Sequence, residues 1–188
     1  MNSMPDHSPI VIGVAGRIGS GKTLVARYLE ENCGFQYLRY SLILAEWFNA
    51  DPGGKTRLQE VGWGVMSGEG QRELNRRLIA KVDPQRDCAV DGLRHPIDYE
   101  ELRRSFKDRF YLIFVETSAE IRFSRLRPRY ESHEAFLAAD EHPVEQNIDS
   151  LRSDASAIIR GDVSLAAFKA ELDLIISGFK GQPAQLDQ

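Results

Sequence analysis

Cysteine is scarce: Cys33 and Cys88 are the only two in 188 residues. They show neither a disulfide framework nor the paired spacing of a metal site, which makes a reducing compartment the expectation. Long apolar runs are missing as well. No stretch approaches the roughly 20 apolar residues of a membrane span, and Met1 to Pro9 has no apolar signal region. A basic excess is also lacking. The 24 Lys and Arg stand against 28 Asp and Glu, a net charge of -4, which argues against general nucleic-acid binding. There is no internal repeat and no low-complexity linker. What remains, 42% apolar and 28% charged, is the composition of a soluble globular chain with enough length for one real core, expected in the cytoplasm. Residues 1–8 and 181–188 are polar and contain proline, so both ends are expected to fray.

Against this plain background one stretch stands out, Gly16 to Thr23, reading GRIGSGKT. It follows the apolar run Ile10–Val14 and fits G-x-x-x-x-G-K-[ST] in full. Glycine has no Cβ to block close approach, so consecutive backbone N–H groups can turn inward around a polyphosphate. The helix starting there adds its positive end to the same anion. The residues expected to hold a nucleoside triphosphate are therefore Gly16, Arg17, Ile18, Gly19, Ser20, Gly21, Lys22, Thr23 and Leu24. Lys22 would serve the β- and γ-phosphates, and the Thr23 hydroxyl would serve Mg²⁺.

Further along, Leu24, Val25, Tyr28 and Leu29 recur at helical spacing up to a stop at Gly34. Residues 35–40 suggest a second strand. Ser41 is placed as the cap of a helix over 42–48, and Asp51 to Gly54 as a turn. Helical patterns at 57–66 and 70–82 are interrupted by Gly62, Gly64, Gly68 and Gly70, which predicts a broken, mobile element. Cys88-Ala89-Val90 reads as a strand ending at Asp91, with a helix over 97–106 beyond it. Phe110 to Val115 is apolar throughout, as a strand buried on both faces should be. A helix from Ser118, two short polar helices over 131–153, a weak strand at 157–159 and a closing amphipathic helix complete the chain. Alternating strands and helices predict an α/β fold, a parallel sheet covered on both faces with its ligand beyond the C-terminal strand ends.

That placement makes Asp91 the candidate acid beside Mg²⁺, sharing metal duty with Thr23. Arg94, three residues on, is a candidate fork for a phosphate. Arg122 and Arg125 share a helix face at i, i+3 spacing and, with Arg129, would close over transferring phosphates. The polar segment after them would act as a lid that keeps water out of the site. Lys22, Asp91, Arg125 and Arg129 are thus the candidate catalytic groups, while Arg94, Ser41 and Arg122 are assigned to the substrate. Trp47, Phe48 and Trp63 suit packing better than base stacking. His95 and His142 have no metal spacing and are assigned no chemistry.

Together these stretches resemble the P-loop nucleotide kinases of the nucleoside-monophosphate-kinase superfamily. GRIGSGKT matches the phosphate loop, DGLRHP resembles the D-G-[FI]-P-R element of adenylate kinases, and RFSRLRPR resembles the arginine stretch flanking the lid. Asp154 to Ile176 is similar to the last strand and helix of dephospho-CoA kinases. The overall order, with LQEVGWGV, is most like the branch that joins those enzymes to deoxynucleoside-monophosphate kinases. The resemblance implies a five-stranded parallel sheet in the order 2-3-1-4-5, helices on both faces, a mobile acceptor segment over about 41–82 and a lid over about 122–153. It also implies ATP and Mg²⁺ as donor and a small-molecule phosphoryl acceptor. The chain departs from dephospho-CoA kinases in having Tyr40-Ser41 where they carry an aspartate, and Arg160 in place of an asparagine near the adenine. Two rival patterns are weaker. MSGEGQR at 66–72 resembles an ABC-type ATPase signature, yet Gly92 stands where such an ATPase needs glutamate. The partial GTPase motifs lack the element that reads guanine. A nucleotide-binding regulator on a kinase scaffold remains a third reading.

Overall fold

The computed structural model describes residues 9–49, 65 and 69–181. The turn expected at 51–54, most of the helix expected at 57–66, Trp63 and the ends at 1–8 and 182–188 lie outside the described residues. β1 (Val11–Ala15) is the centre of a five-stranded sheet with order β2-β3-β1-β4-β5. Its neighbours are β3 (Cys88–Leu93) and β4 (Phe110–Glu116), flanked by β2 (Gln36–Arg39) and β5 (Ala157–Arg160). Every pairing is parallel, so the expected fold class and strand order are both borne out.

Alternation along the strands divides the core into two halves. Val11, Ala15, Cys88, Val90, Phe110, Leu112 and Phe114 face α2 (Tyr40–Trp47), α3 (Glu69–Ile79) and α4 (Pro96–Phe106). Ile12, Val14, Ala89, Tyr111, Ile113 and Val115 face α1 (Lys22–Cys33) and the closing helix, α8 (Leu165–Gly181). Each such fully buried aliphatic or aromatic side chain contributes roughly 1.5–3 kcal/mol relative to exposure. The remaining helices, α5 (Ala119–Leu126), α6 (His133–Asp140) and α7 (Pro143–Ser150), lie between β4 and β5 in sequence. All five strands run the same way, so their C-terminal ends share one edge of the sheet.

Several boundaries differ from expectation for local reasons. Arg39 occupies the N-cap of α2, and Ser41 lies inside its first turn, so the capping role expected of Ser41 is not observed. His95 is not idle. Its Nδ1 accepts from Ile97 N–H at the start of α4, while Asp98 completes a reciprocal capping box. The third strand continues past Asp91 to Leu93, with an irregular register opposite Val14 and Ala15. Gly92, at φ 91°, is the residue skipped in that register, and its left-handed backbone lets the strand bulge immediately after Asp91.

Candidate active site

The phosphate loop joins β1 to α1 at that edge. Gly16 is required by space as well as by conformation. At φ 149°, a Cβ there would meet Ser20 Oγ and the Val115 carbonyl oxygen, each at 2.6 Å. Gly21 caps α1 in a left-handed conformation, and the first turn of that helix has no acidic residue to satisfy its free N–H groups. Lys22 folds back inside the loop and donates to the Arg17 carbonyl at 3.4 Å. Burial pushes its ammonium down to about 8; Arg94 pushes the same way, and the Glu145 and Asp91 carboxylates oppose them. A half-buried cation so incompletely compensated is suited to an incoming anion.

Thr23 Oγ1 donates to Asp91 Oδ2 at 3.0 Å, and Tyr37 Oη donates to the same oxygen at 2.9 Å. Burial and the Asp91 charge push the Tyr37 hydroxyl up to about 12, which keeps it a donor. Arg39 Nε lies 3.7 Å from this oxygen, placed there by a register that sets Arg39 opposite Asp91. Asp91 is only 1% exposed, yet among the described residues its Oδ1 has no hydrogen-bond partner, and neither does the buried Ser20 Oγ. An orphaned carboxylate oxygen beside a threonine hydroxyl fits Mg²⁺, which keeps several waters and needs only one or two protein oxygens. No group of three or more His, Cys, Asp or Glu that would hold a metal by itself occurs among the described residues.

Arg94 leaves the end of β3 towards the loop and donates through Nη1 to Glu145 Oε1 at 3.0 Å. Glu145 Oε2 accepts from Ile18 N–H at 2.8 Å. The backbone of this turn is fixed from behind. Asp98 Oδ2 accepts from the N–H groups of Arg94 and His95, both at 3.0 Å, and its Oδ1 accepts from Gln71 and Asn75. Burial pushes the Asp98 carboxyl up, and these hydrogen bonds act against that push. Tyr40 Oη donates to Asn75 Oδ1, which links α2, α3 and α4 to the aim of Arg94.

The arginine cluster separates into different jobs. Arg122 is buried, not poised over phosphates as expected. It forks onto Asp140 and donates to the carbonyls of Thr117 and Ile18. Arg17 also points away from the inside of the loop, making a bidentate pair with Asp149 and a contact with Asp140. Arg125 donates to the carbonyls of Gly19, Ser20 and Gly161, tying the loop to the turn after β5. Helix α5 ends at Leu126, so Arg129 lies beyond it, exposed and stacked over Tyr130 at 5.6 Å. Arg129 therefore does not continue the helix that carries Arg122 and Arg125. Arg160 pairs with Asp162 on the surface.

A cavity of about 300 Å³ opens next to the loop, lined by Ser20, Gly21, Leu24, Arg125, Gly161, Val163, Leu165 and Phe168. Its walls are largely apolar, with one guanidinium at the side, a setting that suits a planar heterocycle. Sequence reasoning missed Tyr37, Arg39, Glu145 and Gly161. The strand register carries the first two to Asp91, and no local spacing marks the others.

No family model matches the chain. A UPF0200 protein of Pyrobaculum aerophilum is 31% identical over 154 residues, covering 79% of this chain and 86% of that protein. The chain belongs to the UPF0200 family. A second UPF0200 relative, from Pyrococcus furiosus, is 26% identical over 180 residues, 89% of this chain and 96% of its own length. Among solved structures, the UPF0200 chain resembles a gluconokinase from Sinorhizobium meliloti with a TM-score of 0.62 at 14% identity, covering 93% of this chain and 99% of that one. A shikimate kinase from Acinetobacter baumannii, solved with shikimate, gives 0.59 at 21% identity, covering 91% and 95%. At these identities the likeness is one of fold, and this UPF0200 protein has the P-loop kinase fold. No helix among the described residues is long and apolar enough to cross a membrane.

Proposed function

We propose that this UPF0200 protein is an ATP-dependent phosphotransferase that passes the γ-phosphoryl group to a small-molecule acceptor, a nucleotide or nucleotide-like metabolite. One observation carries the reading: Asp91 holds a buried oxygen with no partner among the described residues, beside the Thr23 hydroxyl and at the mouth of a loop whose lysine is half-buried and pushed down to about 8. Thr23 and Asp91 would hold Mg²⁺, which would neutralise phosphate charge and orient the transferring group. Lys22 and the loop N–H groups bind the polyphosphate, and the groove between Leu24, Val163 and Arg125 receives the nucleobase. Arg39, 3.7 Å from Asp91, and Arg94, three residues beyond it, would meet the anionic group of an acceptor. Residues 41–82 would form the acceptor segment and 122–153 the lid. Arg125 would act from that lid by holding the loop carbonyls, and Arg129 would join it only if the turn after α5 rearranges.

The acceptor class rests on the resemblance to the branch between dephospho-CoA kinases and deoxynucleoside-monophosphate kinases. The test is ADP release measured with ATP alone and with a panel of nucleoside monophosphates, nucleosides, dephospho-CoA, shikimate and gluconate. Acceptor-dependent release is expected. Release that ignores every acceptor would make the protein an ATPase, and tight ATP binding without release would make it a nucleotide-dependent regulator.

A further inference from the structure

We infer that Glu145 is an internal competing anion, which holds the lid segment on the phosphate loop until a nucleotide displaces it. The inference rests on the reading of the loop as a triphosphate site. Backbone N–H groups of such a loop exist to receive anion oxygens, yet Ile18 N–H is already bound to a carboxylate of the same chain, 127 residues away in sequence. The other oxygen of that carboxylate holds Arg94, the guanidinium on the acceptor side. Glu145 is 4% exposed, so its charge relies on these partners and on nearby Lys22 rather than on water.

The surrounding ion pairs make this a property of the whole segment. Arg17, inside the loop sequence, forks onto Asp149, one turn beyond Glu145 on α7, and also reaches Asp140 at the end of α6. Asp140 in turn anchors Arg122. Three acidic residues of the 131–153 segment are therefore bound to the loop or to its supporting arginine. A phosphate oxygen approaching Ile18 N–H meets the Glu145 carboxylate at the same donor. Two like charges at one donor are mutually destabilising, so the incoming phosphate must drive the carboxylate off. Release of Glu145 also frees Arg94 to turn to the acceptor. Apparent nucleotide affinity is then lowered by the fraction of molecules in the closed, self-occupied form.

Calorimetric titration with the β,γ-imido analogue of ATP tests this in the wild type, Glu145→Gln and Asp149→Asn. Glu145→Gln keeps the shape but removes the competing charge, and should bind about tenfold more tightly, the equivalent of ~1.4 kcal/mol. Ile18 N–H and Arg94 bind Glu145, whereas Asp149 is half exposed and pairs with Arg17. Its substitution tolerates folding and should tighten binding about two- to threefold by loosening the segment's hold on Arg17. Equal or weaker binding by Glu145→Gln overturns the inference while leaving the loop's function standing. Tighter binding by Glu145→Gln with no change in Asp149→Asn also overturns it, because a fixed carboxylate that merely repels phosphate gives that pattern. Absence of binding in all three proteins would sink the triphosphate site itself, and this inference with it.

Discussion

Thr23 Oγ1 and Asp91 Oδ2 lie 3.0 Å apart, joining the first turn of α1 to β3 across 68 residues of sequence. The hydrogen bond turns the threonine towards Asp91 and leaves Oδ1 of the same carboxylate unsatisfied. If that pair holds Mg²⁺, Asp91→Asn should lower turnover about 100-fold, on the scale seen when one preorganised group that stabilises transition-state charge is lost. It should also raise the Mg²⁺ concentration needed for half-maximal rate. Thr23→Ser should keep most activity and Thr23→Val should lose it. A Mg²⁺ titration of ADP release distinguishes these outcomes, and an unshifted midpoint in Asp91→Asn removes that residue from the metal site.

Lys22→Met should separate chemistry from stability. The ammonium is buried deeply enough to be pushed down to about 8, so the folded protein bears a desolvation cost for it in the absence of nucleotide. Methionine fills similar volume without that cost, and the melting temperature should stay level or rise. Turnover should fall by about three orders of magnitude, because a charge on the moving phosphoryl group is lost. A variant that melts lower and keeps its rate would show that Lys22 serves the fold and not the reaction.

The glycine-rich loop between β1 and α1 is legible in the sequence because its residues are contiguous. Gly16 to Thr23 fix a turn by their own conformational demands, and the run at 110–115 identifies a strand covered on both faces. The sheet order came from resemblance rather than from periodicity. Arg122 shows where local reasoning stops. Its spacing from Arg125 suggested a shared phosphate face, but its partner, Asp140, comes from another helix, and only the folded chain reveals that pair. Arg39 and Tyr37 reach Asp91 through the register of two strands that lie about 50 residues apart in sequence. Glu145 lies in a polar stretch where any acidic residue would look like solvated surface.

Breaking the pair between Arg122 and Asp140 should be costly to stability. Both groups are buried, and a lone buried charge left behind costs about 3–5 kcal/mol. Arg122→Ala and Asp140→Asn should each show a large drop in melting temperature, and the double variant should recover part of it. Burial would raise the Asp140 carboxyl, but hydrogen bonds and charge from Arg122 and Arg17 outweigh it and hold it below its ordinary 3.8. A depressed acid binds fewer protons folded than unfolded, so this stabilisation is present above about pH 4 and is lost as pH falls through the folded value. The gap in melting temperature between wild type and Asp140→Asn should therefore narrow as pH falls below that point. A gap that is constant from pH 7 to pH 3 would show that the pair contributes nothing through its charge.

Gly161 is the residue whose role is clearest in structure and least visible in sequence. It follows β5, and its N–H donates to the Glu116 carbonyl at 2.8 Å. A Cβ added there would collide with Thr117 Oγ1 and with the Ser20 carbonyl oxygen, two atoms that are themselves hydrogen-bonded to each other at 2.9 Å. Its own carbonyl accepts from Arg125, so three elements converge on the back of the phosphate loop at this point. Backbone atoms of a tight loop have little room to yield, and Gly161→Ala should cost about 1–3 kcal/mol as overpacking does. The displaced Ser20 carbonyl should carry the damage to the loop and weaken nucleotide binding as well. Gly178→Ala is the matched control. It lies in α8, exposed, with no atom of the described residues within 4 Å of an added Cβ, so the substitution should raise stability by about 0.5–1 kcal/mol. Thermal melts and nucleotide titrations of both variants decide the matter. If Gly161→Ala melts and binds like wild type, the contact between the β5 turn and the phosphate loop has no energetic consequence.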